Sequence, residues 1–196
     1  MIDAWHTAGV DEAGCGPLAG PVVVAAVILH PRRRVPGLAD SKTLAPSRRV
    51  ELDARIRASA LAFAVVEIDA ATIDRINIYQ ARMLGMRMAL DALERAPKRA
   101  LIDGNHVPRM LRCPARAIVD GDAKIASISA ASILAKVHRD ARMHAFDAIH
   151  PGYGFAVHKG YSTPQHLALL RELGPCAIHR RSYAPVAMLM QAALAL

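Results

Sequence analysis

The chain has 196 residues, 53% of them hydrophobic, enough to fill the core of one full-sized domain without covalent staples. Its three cysteines, Cys15, Cys113 and Cys176, are scattered with no Cys-x-x-Cys spacing, which excludes a disulfide framework and a structural zinc knot. A net charge of +8 points to a polyanionic partner, and an aromatic content of only 4% disfavours a single-strand stacking platform relative to a duplex-binding surface.

The N-terminus lacks the basic-then-apolar order of a signal peptide, and no later apolar run is long enough to cross a bilayer. A cytoplasmic protein with no membrane partner is therefore expected. The first apolar run, residues 8–10, leads into adjacent carboxylates, Asp11 and Glu12, and then Gly14-Cys15-Gly16-Pro17. Strand side chains alternate between faces, so this pair converges on one ion only where the strand ends or bends, which the glycines permit. Taken alone, the pair reads as a solvated strand end, and it is the other acids of the chain that turn the reading towards a metal site. Residues 22–29 form a second, buried strand, paired with the first through a hairpin-like connection.

Residues 31–44 read as a basic loop, after which Pro46 and Ser47 open a helix through residue 60. Residues 61–68 return to strand. Residues 73–95 predict a broadly buried helix whose methionines are core filler. Two short strands, residues 99–102 and 115–119, end in Asp103-Gly104-Asn105 and Asp120-Gly121-Asp122, sequences that also suit plain tight turns. Residues 127–149 give the clearest helix, with Ala130, Ile133, Leu134, Val137 and Ala141 on an apolar face. Ser129, Ser132, Lys136 and Arg139 form a polar stripe expected to face phosphate. Shorter helices are predicted over residues 164–173 and from 185 onward.

Strands alternating with helices after an opening pair of strands predict an α/β fold: a mixed central sheet flanked by helices, with a small C-terminal helical appendage. The expected division is 1–145 for the catalytic part and 146–196 for the helical extension. Function in such folds gathers beyond the carboxyl ends of strands, where Asp11, Glu12, Asp103 and Asp122 fall. Four carboxylates with no histidine or thiolate pairing suit Mg2+ or Mn2+, and two such ions about 3.5 to 4 Å apart suit phosphodiester hydrolysis.

The run Gly9-Val10-Asp11-Glu12-Ala13-Gly14-Cys15-Gly16-Pro17-Leu18-Ala19-Gly20-Pro21-Val22 closely resembles the opening signature of the ribonuclease HII family. Asp40-Ser41-Lys42, Ile102-Asp103-Gly104-Asn105, Gly121-Asp122, the stretch from Ile128 to Val137, and His158-Lys159-Gly160-Tyr161-x-Thr163-x-x-His166 match in order. The resemblance implies a ribonuclease H-like fold and an endonuclease that cuts RNA–DNA hybrids and the 5′ side of ribonucleotides embedded in duplex DNA, leaving 3′-hydroxyl and 5′-phosphate ends. It implies a role in ribonucleotide removal. Asp11, Glu12, Asp103 and Asp122 take the family's metal-binding catalytic places, with Asp122 fitting better than Asp120. Tyr161 takes that of the tyrosine packed on the junction sugar, and Lys42, Ser129, Lys136 and Lys159 are candidates for phosphate contact.

One departure stands out. The family's Gly-Arg-Gly segment, which reads the ribose hydroxyl and neighbouring phosphate, is Gly14-Cys15-Gly16 here. Backbone contacts can persist while a guanidinium contact is lost, so weaker binding or slower turnover is expected, and Cys15→Arg is expected to improve cleavage. A catalytically silent hybrid-binding protein is the rival reading, and another metal-dependent nuclease on the same fold the nearest enzymatic one. Cys15 as a nucleophile is disfavoured by its neighbouring carboxylates. His158, His166 and His179 are secondary candidates to lie near nucleic acid. Ribonuclease HIII is disfavoured because no N-terminal substrate-binding domain fits before Ala8. A monomer is expected, with no sliding-clamp peptide among residues 188–196.

Overall fold

Two apolar, β-branched runs, β1 (Thr7–Ala13) and β2 (Val22–Ile28), pair antiparallel in the middle of a five-stranded sheet ordered β3-β2-β1-β4-β5. The structure is a computed structural model that describes residues 6–194. β3 (Ala62–Ile68) extends the sheet antiparallel to β2, whereas β4 (Arg99–Asp103) and β5 (Ala115–Ile118) run parallel to β1. The sheet is therefore mixed, and the carboxyl ends of β1, β4 and β5 lie along one edge. Among the described residues no helix is long and apolar enough to cross a membrane.

Alternation along the strands sends one set of residues to each face. Val10, Val24, Ala26 and Ile102 pack with Met86, Ala89 and Leu90 of helix α2 (Ala70–Asp91). On the other face Val23, Ala25 and Val27 pack with Leu52 and Ile56 of α1 (Pro46–Ser59) and with Ala130, Ile133 and Leu134 of α4 (Ala126–Ile149). A short helix, α3 (Gly121–Lys124), precedes α4; α5 (Phe155–His158), α6 (Pro164–Leu173) and α7 (Ala184–Leu194) complete the C-terminal part.

Three expectations need correction. β1 does not end at Asp11 but continues to Ala13, so both acids lie inside a paired strand. The helix expected over residues 73–95 begins earlier, because the Asp69 carboxylate accepts the Thr72 amide at 2.7 Å and caps it, and it is interrupted at Asn77 (φ 64°, ψ 164°). Of its methionines, Met86 is buried but Met88 is 41% exposed. The stripe on α4 does not face solvent: Ser129, Ser132 and Arg139 are all buried.

Candidate active site

Asp11 and Glu12 point to opposite faces, as strand alternation requires. Asp11, buried on the α4 side, is hydrogen-bonded by the Ser132 hydroxyl and accepts the Glu12 amide at 2.7 Å. Ser132 in turn shares a 2.9 Å hydroxyl contact with Ser41, which ties the Asp40-Ser41-Lys42 loop to the site. Glu12 faces α2, where its Oε1 lies 2.8 Å from Arg82 Nε and 3.7 Å from the Cys15 thiol.

Parallel pairing of β4 with β1 sets Asp103 at the same edge. Its Oδ1 accepts the Gly121 amide at 2.8 Å and meets the Asp122 amide at 3.4 Å, so Asp103 anchors the turn that presents Asp122. Asp120 instead adopts a left-handed conformation (φ 52°), is largely exposed and pairs with Lys124 at 3.6 Å. The Ser129 hydroxyl donates to the Asp122 and Ile125 carbonyls, which makes it a brace for that turn within a buried site. Lys42 Nζ reaches Asp122 Oδ2 at 3.8 Å from an exposed position.

Burial, reinforced by Glu12 and Asp103, holds the Asp11 carboxyl well above the usual carboxylate range. Burial also raises Glu12, against the opposing charge of Arg82, and raises Asp122, whose other neighbours are Asp40 and Asp103. Among the described residues no three acids, histidines or cysteines stand close enough as arranged to chelate one ion. Glu12 turns to Arg82 and Asp103 to backbone amides. The donor set nevertheless fits a hard divalent cation. It is all oxygen, and among the described residues Asp11 has no ion-pair partner and Glu12 Oε2 is buried with no hydrogen-bond partner.

Beyond β1, Gly14 (φ 98°) needs its glycine twice over, because a Cβ there would also overlap Arg139 Nε. Arg139 is fully buried and donates to the carbonyls of Pro21 (3.1 Å), Ala19 (3.2 Å) and Lys159 (3.1 Å). Arg180, equally buried, donates to the carbonyls of Gly14 (2.6 Å), Cys15 (2.9 Å) and Gly20 (3.0 Å). The Tyr183 hydroxyl adds a second donor to the Cys15 carbonyl at 2.5 Å. Burial lowers both guanidiniums, Arg139 to about 10. The turn through Gly14-Cys15-Gly16 is thus held from behind by Arg180, with Arg139 packed against Gly14, and among the described residues neither guanidinium has an ion-pair partner. Burial and Glu12 push the Cys15 thiol up to about 12, which leaves it protonated and unsuited to nucleophilic work.

Tyr161 is 44% exposed and stacks over the Arg139 guanidinium at 5.7 Å. Lys159 contacts His144 at 2.7 Å and the Ala156 carbonyl, and Lys136 pairs with Asp140 at 2.7 Å, so both expected phosphate contacts already have protein partners. His158, His166 and His179 do not line a nucleic-acid surface. They are buried together with Tyr153 and Phe155, with the His158 and His166 rings stacked at 4.2 Å. The Cys176 amide donates to His179 Nδ1 (3.0 Å), His179 meets His166 Nε2 to Nε2 (3.1 Å), and His166 Nδ1 reaches the Tyr161 carbonyl (2.8 Å). This chain is satisfied by neutral rings, and burial with His166 alongside lowers His179 to about 4.

Sequence reading missed Arg82, Arg180 and Asn77. Arg82 falls in the buried line of α2 with Met86 and Ala89, and Arg139 in that of α4 with Ala135 and Met143; an arginine inside an apolar stripe is the signal available. Asn77, with positive φ inside α2, has no sequence signature beyond its tolerance of such angles.

A mixed sheet of this order, with helices on both faces and acids inside β1 near its end, at the end of β4 and after β5, defines a nuclease of the ribonuclease H fold. The family model described as Ribonuclease HII matches residues 8–186. A curated relative named Ribonuclease HII, from Xanthomonas axonopodis pv. citri, is 58% identical over 190 residues, covering 96% of this chain and 78% of its own. The crystal structure of the ribonuclease H2 from Pyrococcus horikoshii OT3 superposes with a TM-score of 0.80 at 27% identity, covering 95% of this chain and 97% of its own. That of Bst-RNase HIII in complex with Mn2+ gives 0.75 at 20% identity, over 100% of this chain and 72% of its own, a likeness of fold. The chain belongs to the ribonuclease HII family, endoribonucleases that degrade the RNA of RNA–DNA hybrids.

Proposed function

We propose that the protein cuts the RNA strand of hybrids and the 5′ side of ribonucleotides embedded in duplex DNA, with Asp11, Glu12, Asp103 and Asp122 as ligands of Mg2+ or Mn2+. The observation that carries this reading is a carboxylate cluster with less counter-charge than acid, Arg82 pairing with Glu12 and Lys42 reaching Asp122. Among the described residues Asp11 is buried without an ion pair and Glu12 Oε2 has no hydrogen-bond partner, and Asp103 couples electrically to both. Such an arrangement is unfavourable by itself and becomes favourable around a cation. The Mn2+ in the Bst-RNase HIII complex agrees with this choice of ion.

When bound, the cations supply activation of the attacking water and charge stabilisation of the leaving oxygen. The chain's own residues position the rest. Ser132 orients Asp11, the Gly121 amide orients Asp103, and Arg180 with Tyr183 fixes the carbonyls of the Gly14-Cys15-Gly16 turn. With those carbonyls turned back to Arg180, the turn offers its opposite side to a ribose hydroxyl. The exposed Tyr161 ring offers a flat face for the sugar at the RNA–DNA junction, and Lys42 a nearby cation for phosphate.

The test is cleavage of an end-labelled duplex containing one ribonucleotide, with Mg2+, Mn2+ or chelator, mapped to the nucleotide. A cut on the 5′ side that needs the metal and disappears when the ribose becomes deoxyribose is expected. Equal cutting of the all-deoxy duplex, or cutting in chelator, would overturn the reading.

A further inference from the structure

The turn that follows β1 carries cysteine at position 15, yet a guanidinium stands beside it. Arg82 reaches over from α2: its Nε lies 2.8 Å from Glu12 Oε1, the oxygen that the Cys15 thiol meets at 3.7 Å. Its Nη2 donates to the Asp103 carbonyl at 3.0 Å. One side chain therefore links the ends of β1 and β4 next to Cys15.

The contact is more than a stabilising ion pair. Arg82 Nε is committed to Glu12 Oε1, but Glu12 Oε2 beside it is buried with no hydrogen-bond partner. Nη1 makes no hydrogen bond within the described residues. A buried acceptor and a guanidinium nitrogen left open at one place mark an arrangement that another molecule completes. A guanidinium held in place through Nε and Nη2, with Nη1 uncommitted, is suited to donate to a phosphate.

We propose that Arg82 is a specificity-determining residue that supplies, from α2, the cation absent at Cys15, and donates to the phosphate beside the ribonucleotide. This rests on the hybrid-cleaving reading above. A guanidinium already in place also explains why a small neutral residue suits position 15: an arginine there would meet Arg82 at the same carboxylate. The gain first expected of Cys15→Arg is accordingly transferred to a protein lacking Arg82.

The experiment compares wild type, Arg82→Lys, Arg82→Gln, Cys15→Arg and the double variant Arg82→Gln/Cys15→Arg on the duplex with one ribonucleotide. KM and kcat are measured separately, together with melting temperature and equilibrium binding of the same duplex in chelator. Arg82→Gln is expected to raise KM and weaken chelator-state binding by about tenfold, with Arg82→Lys intermediate. Adding Cys15→Arg to Arg82→Gln restores most of the loss, whereas Cys15→Arg alone brings no gain. A folded Arg82→Gln protein with wild-type KM and binding, or a folded double variant without recovery, overturns the proposal. Should Arg82→Gln fail to fold, Arg82→Lys decides by the same comparison, an unchanged KM overturning it. Wild type that makes no ribose-dependent cut refutes the function proposed above instead.

Discussion

Gly9 lies directly on the backbone of Ser127, so that a Cβ on Gly9 would overlap the Ser127 carbonyl carbon and the Ile128 amide nitrogen. This approach presses the start of α4 onto β1 two residues before Asp11, which brings Ser132 to Asp11 and Ser129 under the Asp122 turn. The opposing atoms are backbone and no rotamer relieves the clash. Gly9→Ala is expected to destabilise the fold by about 2–3 kcal/mol and to lower activity in the fraction that folds. Urea denaturation checks this, and an unchanged midpoint would contradict it.

Asp11 should be a site of stored repulsion. Because its carboxyl is raised by burial, Glu12 and Asp103, the folded protein holds a proton there more tightly than the unfolded chain does. The destabilisation is fully present above the raised value and is relieved as pH falls through it towards the ordinary carboxylate range. Asp11→Asn is expected to abolish cleavage and yet raise the melting temperature at neutral pH in chelator. It should also lose most of the stabilisation that Mn2+ gives wild type. A lower melting temperature in chelator would argue against the charge cluster.

The histidine chain from Cys176 to Tyr161 gives an acid sensitivity of opposite sign. His179, lowered to about 4, binds protons more weakly folded than unfolded, so its contribution to stability is present above the ordinary histidine value and is lost as pH falls from there towards 4. A decline of several degrees in melting temperature across that window is expected, and His179→Gln should flatten it. The same slope in wild type and variant would place the acid-sensitive group elsewhere.

Arg180 is the donor to three carbonyls around the Gly14-Cys15-Gly16 turn. Arg180→Met leaves those buried oxygens short of partners and should cost roughly 3 kcal/mol or more. Its mark on function should be a lost preference for ribose over deoxyribose in whatever protein remains folded, measured by competition between the two duplexes. Undiminished preference at reduced stability would assign Arg180 to folding alone.

The strands, the long α4 helix and the gathering of acids along one edge of the sheet were legible in the sequence because each depends on local signals: apolar alternation, helical spacing, acids beside glycine at or near strand ends. The electrostatics were not. Whether Asp11 and Glu12 converge or diverge is decided by where β1 stops pairing, and Ala13 still pairs with Val23. Arg82 and Arg180 meet the site from about 70 and 165 residues away along the chain, and nothing near them in sequence marks their partners. The serines on α4 have the periodicity of a surface stripe, but the stripe faces the acids rather than water. His158, His166 and His179 look like candidate nucleic-acid contacts in sequence, and only their burial beside Phe155 shows them to be a packed, neutral set.

The loop between β1 and β2 is stitched to distant backbone: Leu18 donates to Gly160, Gly20 to Ile178, and Arg180 to Leu18. During synthesis, residues 14–21 leave the ribosome early but find their mould only once residue 180 has followed. The shape of this loop is therefore a property of the whole fold, set by strand and C-terminal segments together rather than by the local run of glycines.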